Sequence, residues 1–237
     1  MTSEVQVLMM TAAGAGFIHT VLGPDHYLPF ILIGKARKWN LSKVLLLTLV
    51  CGIGHIIGSL VLGVVGVFMG IGLDKLEFVE SVRGSIAAWA LIAFGLVYAI
   101  WGLRKALKNK SHSHTHFHSD GTLHHHTHNH INSHSHVHES TDSKRITPWV
   151  LFIIFVLGPC EVLIPLLMYP AAQYSLSGVL QVTLVFGITT IVTMLGVVLV
   201  SSYGIQFIPT KKLGLYTHFI AGIMVFMSGV AIQVLGI

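Results

Sequence analysis

Charge is what this chain is short of. Only 10% of its 237 residues are Asp, Glu, Lys or Arg, and nine of those are acidic, where an ordinary soluble domain carries about 25%. With 53% hydrophobic residues and a mean hydropathy of +0.77, that scarcity excludes a water-soluble globular domain and points to an integral membrane protein. Cysteine is scarce as well. Cys51 and Cys160 both fall inside apolar runs, which excludes a disulfide-stapled scaffold and says little about redox compartment. The N-terminus lacks the charged start, short apolar core and small-residue cleavage site of a secretory signal, so the first apolar run is expected to be retained. The net charge of +5 sits mostly in short segments between apolar runs, where Lys and Arg set topology, and no nucleic-acid partner is expected.

A helix crosses about 30 Å of hydrocarbon at about 1.5 Å per residue, so each span needs about 20 apolar residues. Six segments qualify: 5–36, interrupted at Gly23-Pro24; 42–72; 84–103; 148–172, interrupted at Gly158-Pro159; 176–202; and 213–236. The expected fold is therefore an all-α polytopic membrane protein. Its expected parts are a three-helix repeat over 1–107, a histidine-rich loop over 108–147, and a second three-helix repeat over 148–237.

The repeat is read from the sequence itself. Shifted by 135 residues, the stretch beginning at Val21 aligns without a gap with that beginning at Val156. Gly23-Pro24 meets Gly158-Pro159, Leu41-Ser42 meets Leu176-Ser177, and Thr48-Leu49-Val50 meets Thr183-Leu184-Val185. Apolar helices resemble one another by composition, but shared breaks and shared turns do not arise that way. Three spans per half makes the second copy enter from the opposite side, an inverted repeat of the kind transporters use. With the N- and C-termini outside, the inner segments hold Lys35, Arg37, Lys38, Lys43, Arg104, Lys105, Lys108, Lys110, Lys144, Arg145, Lys211 and Lys212. Only Lys75 and Arg83 fall outside, which places the histidine-rich loop in the cytoplasm and the protein in the cytoplasmic membrane.

The chemistry concentrates at the breaks. His19, Asp25 and His26 are ionisable groups within an apolar span, costly to desolvate and so candidates for function. Pro24 has no amide hydrogen and frees the carbonyl of Thr20; Pro159 does the same to Phe155. Irregular backbone at membrane depth is tolerated where protein or a wet cavity satisfies it, and broken helices often frame midplane ion sites. Imidazole and carboxylate together suit a borderline divalent metal such as nickel, cobalt or zinc. Spaced seven apart, His19 and His26 can converge. His55, flanked by Gly54 and Gly58, sits at matching depth in the second span, where close helix approach would bring it to the first. In the second half Cys160 aligns with Asp25 and Glu161 with His26, as a soft ligand and a second carboxylate. Thr190, the counterpart of His55, is expected to pack, and His218 to be interfacial. The expected metal ligands are thus His19, Asp25, His26, His55, Cys160 and Glu161.

Twelve of the sixteen histidines lie between Lys108 and Arg145, many at every second position and among few apolar residues. Such a tract is expected to be disordered without metal and to act as a multi-site, weak metal buffer or sensor.

The pattern His19-x3-Gly23-x-Asp25-His26 resembles the His-Pro-x-x-Gly-x-Asp-His motif of hydrogenase- and urease-associated nickel permeases. It is also similar to the His-x4-Asp-His motif of the nickel/cobalt transporter family, with one additional residue between His19 and Asp25. The mid-span His55 resembles the histidine of that family's second helix, and a histidine-rich loop is typical of nickel/cobalt efflux proteins. Gly158-Pro159-Cys160-Glu161 followed by Pro165 looks like the broken helix of the wider lysine-exporter superfamily, which includes thiol-disulfide electron carriers.

The resemblance implies a secondary transporter, not an enzyme, moving nickel, cobalt or zinc by alternating access, with proton coupling the expected energy source. The bilayer and the ion are its expected partners. No resident cofactor is expected, and no particular metallochaperone is indicated. The alternatives are a membrane thiol-disulfide electron carrier, which needs two cysteines able to meet, and an exporter of a small anion or amino acid.

Overall fold

The computed structural model describes residues 3–108, 112–117, 123–128, 141–158, 160, 162–172, 176–204 and 214–235. The first apolar run is two helices, α1 (Ser3–Leu22) and α2 (Leu28–Ala36), joined through a 3-10 turn at Pro24–His26. Then come α3 (Leu41–Phe68) and α4 (Leu73–Lys108). Within the loop expected to be disordered, two strands, β1 (His112–Phe117) and β2 (Leu123–His128), pair as an antiparallel hairpin. The second half holds α5 (Thr141–Leu157), α6 (Leu163–Ala172), α7 (Leu176–Gly204) and α8 (Thr217–Leu235).

Five helices among the described residues are long and apolar enough to cross a membrane: Glu4–Leu22, Leu41–Gly66, Leu73–Lys108, Ser177–Gly204 and Gly214–Val234. The expected count of six spans is not reproduced by length alone. The reason is the second break: it divides the expected fourth span into α5, of 17 residues, and α6, of 10, each short of a crossing. A second difference lies in the third span, expected to begin at residue 84. The helix begins a full three turns earlier, at Leu73, so Glu80 and Arg83 are helical rather than part of an outer loop.

Exposed Leu46, Val50, Ile53, Ile57 and Val61 recur at helical spacing along α3, and Leu180, Leu184, Ile188 and Val192 along α7. These are lipid-facing stripes. Apolar side chains gain little by leaving lipid for protein, so the helices are held instead by close packing of small residues. α4 and α8 form the most extensive of these contacts. Gly95 lies against the backbone of Phe226, and Gly222 against the backbone of Ala99, too close in both cases for a Cβ.

One core cluster gathers Phe30 and Ile33 of α2, Cys51 of α3, Leu151 and Phe155 of α5, and Met194 of α7. A second gathers Ala12 of α1, Cys160, Leu163 and Leu167 around the second break, and Val182 and Phe186 of α7.

Candidate functional site at the helix breaks

The first break follows from its residues. Gly23 still donates its amide to His19 O at 3.0 Å, but Pro24 has no amide hydrogen with which to continue the ladder. The chain makes one 3-10 turn, closed by His26 N to Gly23 O at 3.1 Å, and restarts at Leu28 with Pro29 in the first turn, where a missing donor costs nothing. The turn folds the His26 ring back over Gly23 so closely that a Cβ there would collide with Nδ1. Glycine is what lets His26 lie inward.

Three imidazoles meet at this break: His19 from the last turn of α1, His26 from the turn, and His55 from α3. Their ring centroids lie 4.8 Å (His19–His26), 5.3 Å (His26–His55) and 6.3 Å (His19–His55) apart. One ligand nitrogen from each falls within 4.8 Å of the others. His26 Nδ1 faces Gly23 O at 3.1 Å and Asp25 Oδ1 at 3.2 Å; His55 Nδ1 faces Phe155 O at 3.2 Å. Since oxygens of this kind only accept, Nδ1 of His26 and of His55 carries the hydrogen and Nε2 keeps its lone pair. Nε2 of His19, His26 and His55 is in each case buried without a protein partner. Backbone or carboxylate acceptors on one ring nitrogen with the other left open is how histidine is prepared for a metal ion.

The remaining expected ligands are placed differently. Asp25 stands behind His26 and is 19% exposed, beside the cluster of ligand nitrogens rather than in it. Cys160 is fully buried in the second core cluster, among Ala12, Leu163 and Phe186. Glu161 lies outside the described residues. Thr190 is buried, with Oγ1 against Gly16 of α1. His218 is away from the break, its Nδ1 2.9 Å from Tyr98 Oη and its ring beside Trp101.

The structure adds residues that the sequence did not single out. Arg83 on α4 donates from Nη2 to Gly158 O at 2.7 Å and to Ser59 Oγ on α3, and pairs with Glu80 at 3.2 Å. Glu80 is fully buried. One guanidinium thus ties the carbonyl at the second break to two helices of the first half. The available signal was the i,i+3 spacing of Glu80 and Arg83, which favours an ion pair if the two share a helix. Starting the span at residue 84 hid it. A cavity of about 20 Å³ beside the two breaks is lined by Asp25, His55, Gly84, Ala87, Leu91 and Gly158 among others, roughly the room one water needs.

The family described as the transmembrane region of cytochrome c biogenesis proteins matches residues 27–231. No curated protein and no solved structure matches the chain. The match corrects the resemblance to the nickel/cobalt transporter family and the metal-transport function drawn from it. That resemblance rested on the pattern of residues 19–26, on His55 and on the histidine-rich loop, and of these residues 19–26 lie before the matched range. The match instead extends along 205 residues, from 27 to 231. Because it runs through both halves of the bundle and the second break, it shows the family: this chain belongs to the transmembrane-region family of the cytochrome c biogenesis proteins.

Proposed function

We propose that this chain is a membrane thiol-disulfide carrier working at its paired helix breaks. The observation that supports this is the family match over residues 27–231, which takes in both thiols, Cys51 and Cys160. In such a cycle a dithiol protein on one face reduces a Cys51–Cys160 disulfide. Two electrons and two protons enter the pair and the donor leaves as a disulfide. The two thiols then reduce a disulfide protein on the other face and close again. The thiols pack in separate core clusters, so the cycle requires the broken helix α5/α6 to move against α3. Asp25 stands where the repeat would put a cysteine in the first half, leaving Cys51 as the partner within the chain. Alkylation trapping in membranes tests this: wild type should shift to a disulfide on mild oxidation, and Cys51→Ser or Cys160→Ser should not. Partner thiols that stay equally reduced in cells carrying Cys160→Ser would overturn it.

The helix boundaries support a 3+3 inverted repeat as the frame for such movement. α1 and α5 end at Leu22 and Leu157, α2 and α6 begin at Leu28 and Leu163, and α3 and α7 begin at Leu41 and Leu176, each pair 135 residues apart. Even a local bond repeats: Thr48 Oγ1 donates to Val44 O at 2.9 Å and Thr183 Oγ1 to Val179 O at 2.8 Å. The packing also exchanges as a pseudo-two-fold requires, α1 against α7 matching α5 against α3. In this reading α5 and α6 cross together as the sixth span. The protein sits in the cytoplasmic membrane with both termini outside and the loop inside, as the Lys and Arg distribution favours.

A second reading concerns the first break alone: His19, His26 and His55 hold one divalent transition-metal ion as a resident of the site, not as cargo. Three buried, unpartnered Nε2 atoms favour it. Asp25 then acts by orienting His26, and Cys160 belongs to the thiol chemistry. Metal analysis of the purified protein with and without His26→Ala tests this reading; equal metal content in the two would overturn it.

A further inference from the structure

Helices α3 and α7 meet over their middle turns and run antiparallel. Gly52 of α3 faces Ile191 and Met194, where a Cβ would lie 3.2 Å from Met194 Sδ, and Gly187 of α7 faces Ile56, where a Cβ would lie 3.5 Å away. Numbers that rise on one helix fall on the other, which fixes the direction. Nearer Leu41 and Gly204 the two helices leave a groove of about 280 Å³, lined by Leu45, Leu46 and Leu49 of α3 and by Leu195, Gly196 and Leu199 of α7. A Cβ at Gly196 would meet nothing within 4 Å. The space is about the liquid volume of nine waters, yet no polar side chain lines it to hold water.

Helical spacing continues both walls to a polar mouth. Ser42 precedes Leu45, Leu46 and Leu49 by three, four and seven residues, and Tyr203 follows Leu199 and Gly196 by four and seven, so each belongs to the face of its own wall. Both are exposed. Beside Ser42, Lys43 holds its Nζ 4.6 Å from the centroid of the Trp39 ring. Lys35, Arg37 and Lys38 lie at the end of α2 that leads into α3, and between Asp25 and Asp74 the chain has no acidic residue. This end of the groove is cationic, and Trp39 and Tyr203 are residues of the kind that sit at headgroup level.

We propose that the groove between α3 and α7 is a binding site for an anionic phospholipid, with one acyl chain along the leucines and the phosphate headgroup at Lys43. Lipid tails are as apolar as leucine, so apolar burial does not by itself favour the groove over the surrounding bilayer. A chain lying there makes the dispersion contacts that an open groove would lack. Selection comes from charge: each basic residue close to an anionic headgroup contributes about a fivefold preference. The occupant is therefore distinguished from bulk lipid by its headgroup and not by its tail. The inference rests on neither reading of the helix breaks.

The test uses the full chain purified in detergent, with phosphatidylglycerol and phosphatidylcholine of identical chains as the probes, and counts retained lipid by native mass spectrometry. Wild type should retain one phosphatidylglycerol per chain in preference to phosphatidylcholine by about fivefold or more. Lys43→Gln should lower that preference about fivefold, while Lys75→Gln, beyond the other end of α3, should leave it intact. Gly196→Phe, which fills the groove, should lose the bound lipid, and Leu184→Phe, exposed on the same helix outside the groove, should keep it. Lys43 is exposed, so the result with Lys43→Gln stands even if Gly196→Phe fails to fold. Equal retention of the two lipids by wild type, or a preference undiminished in Lys43→Gln, would overturn the proposal, as would full retention by a folded Gly196→Phe. So would a detergent-stable dimer that Gly196→Phe disrupts, which would give the groove to a second copy of the chain.

Discussion

His55 donates from Nδ1 to the carbonyl of Phe155 at 3.2 Å, joining the second helix of one half to the broken helix of the other. Phe155 is the residue whose carbonyl Pro159 deprives of its usual helical donor. Gly158 N, at 3.0 Å, and His55 together take the place of the lost bond. The break and the histidine are thus one device: the carbonyl that proline frees is the group that orients the imidazole.

The three histidines should act as a unit. In a chain whose loop histidines are all replaced by asparagine, so that the loop contributes no ligand, His19→Ala, His26→Ala and His55→Ala should each abolish tight binding of one ion. Asp25→Asn, which alters only the group behind His26, should weaken binding about 10- to 100-fold. Competition against a chelator of known affinity measures both effects, and a tight site surviving His55→Ala would refute the triad.

Glycine at position 23 should matter through His26. A Cβ at Gly23 falls on the His26 ring, and one at Gly158 would lie 3.1 Å from His55 Nδ1. Gly23→Ala should therefore cost more metal affinity than Gly158→Ala, while both proteins still insert and purify. Equal affinities in the two variants, read by the same competition assay, would show that ring position is not what Gly23 sets.

Arg83 and Glu80 form a pair whose members depend on each other. Removing one partner of a buried pair costs about 3–5 kcal/mol, whereas replacing both by apolar residues is often near neutral. Thermal unfolding in detergent should show Arg83→Met and Glu80→Met each strongly destabilised, and the double variant less so than the sum. The double variant should still lose order at the second break, because Gly158 O and Ser59 Oγ lose their guanidinium donor. Strict additivity of the two single effects would show that the pair is not coupled.

The α4–α8 interface should tolerate no added atoms at Gly95 or Gly222. A side chain there meets the backbone of Phe226 or of Ala99, which cannot turn aside as a flexible side chain can. Gly222→Ala should destabilise by about 1–3 kcal/mol, the usual range for overpacking, and Gly95→Leu by more. Gly196→Ala, where a Cβ meets nothing within 4 Å, is the control and should melt as wild type does.

The sequence by itself determined the elements that follow from local chemistry. Proline at 24 and 159 ends helices because it lacks a donor, whatever surrounds it, and the breaks stand where the sequence put them. The 135-residue alignment is legible because shared breaks and turns leave their marks residue by residue. His19 and His26 were legible as a pair because they flank one break. Bringing in His55 needed an inference about helix approach, and the structure supplies the contact through Phe155. Only the tertiary structure decided which polar groups meet. The Arg83–Gly158 bond joins residues 75 apart, and no local spacing encodes it. Cys160 and Asp25 align in the repeat, yet one is packed among apolar side chains and the other stands behind a histidine. Aligned positions share a backbone path, but the neighbours that give a side chain its chemistry come from other helices. In a membrane those neighbours are selected by close packing and by the need to satisfy polar groups that lipid cannot.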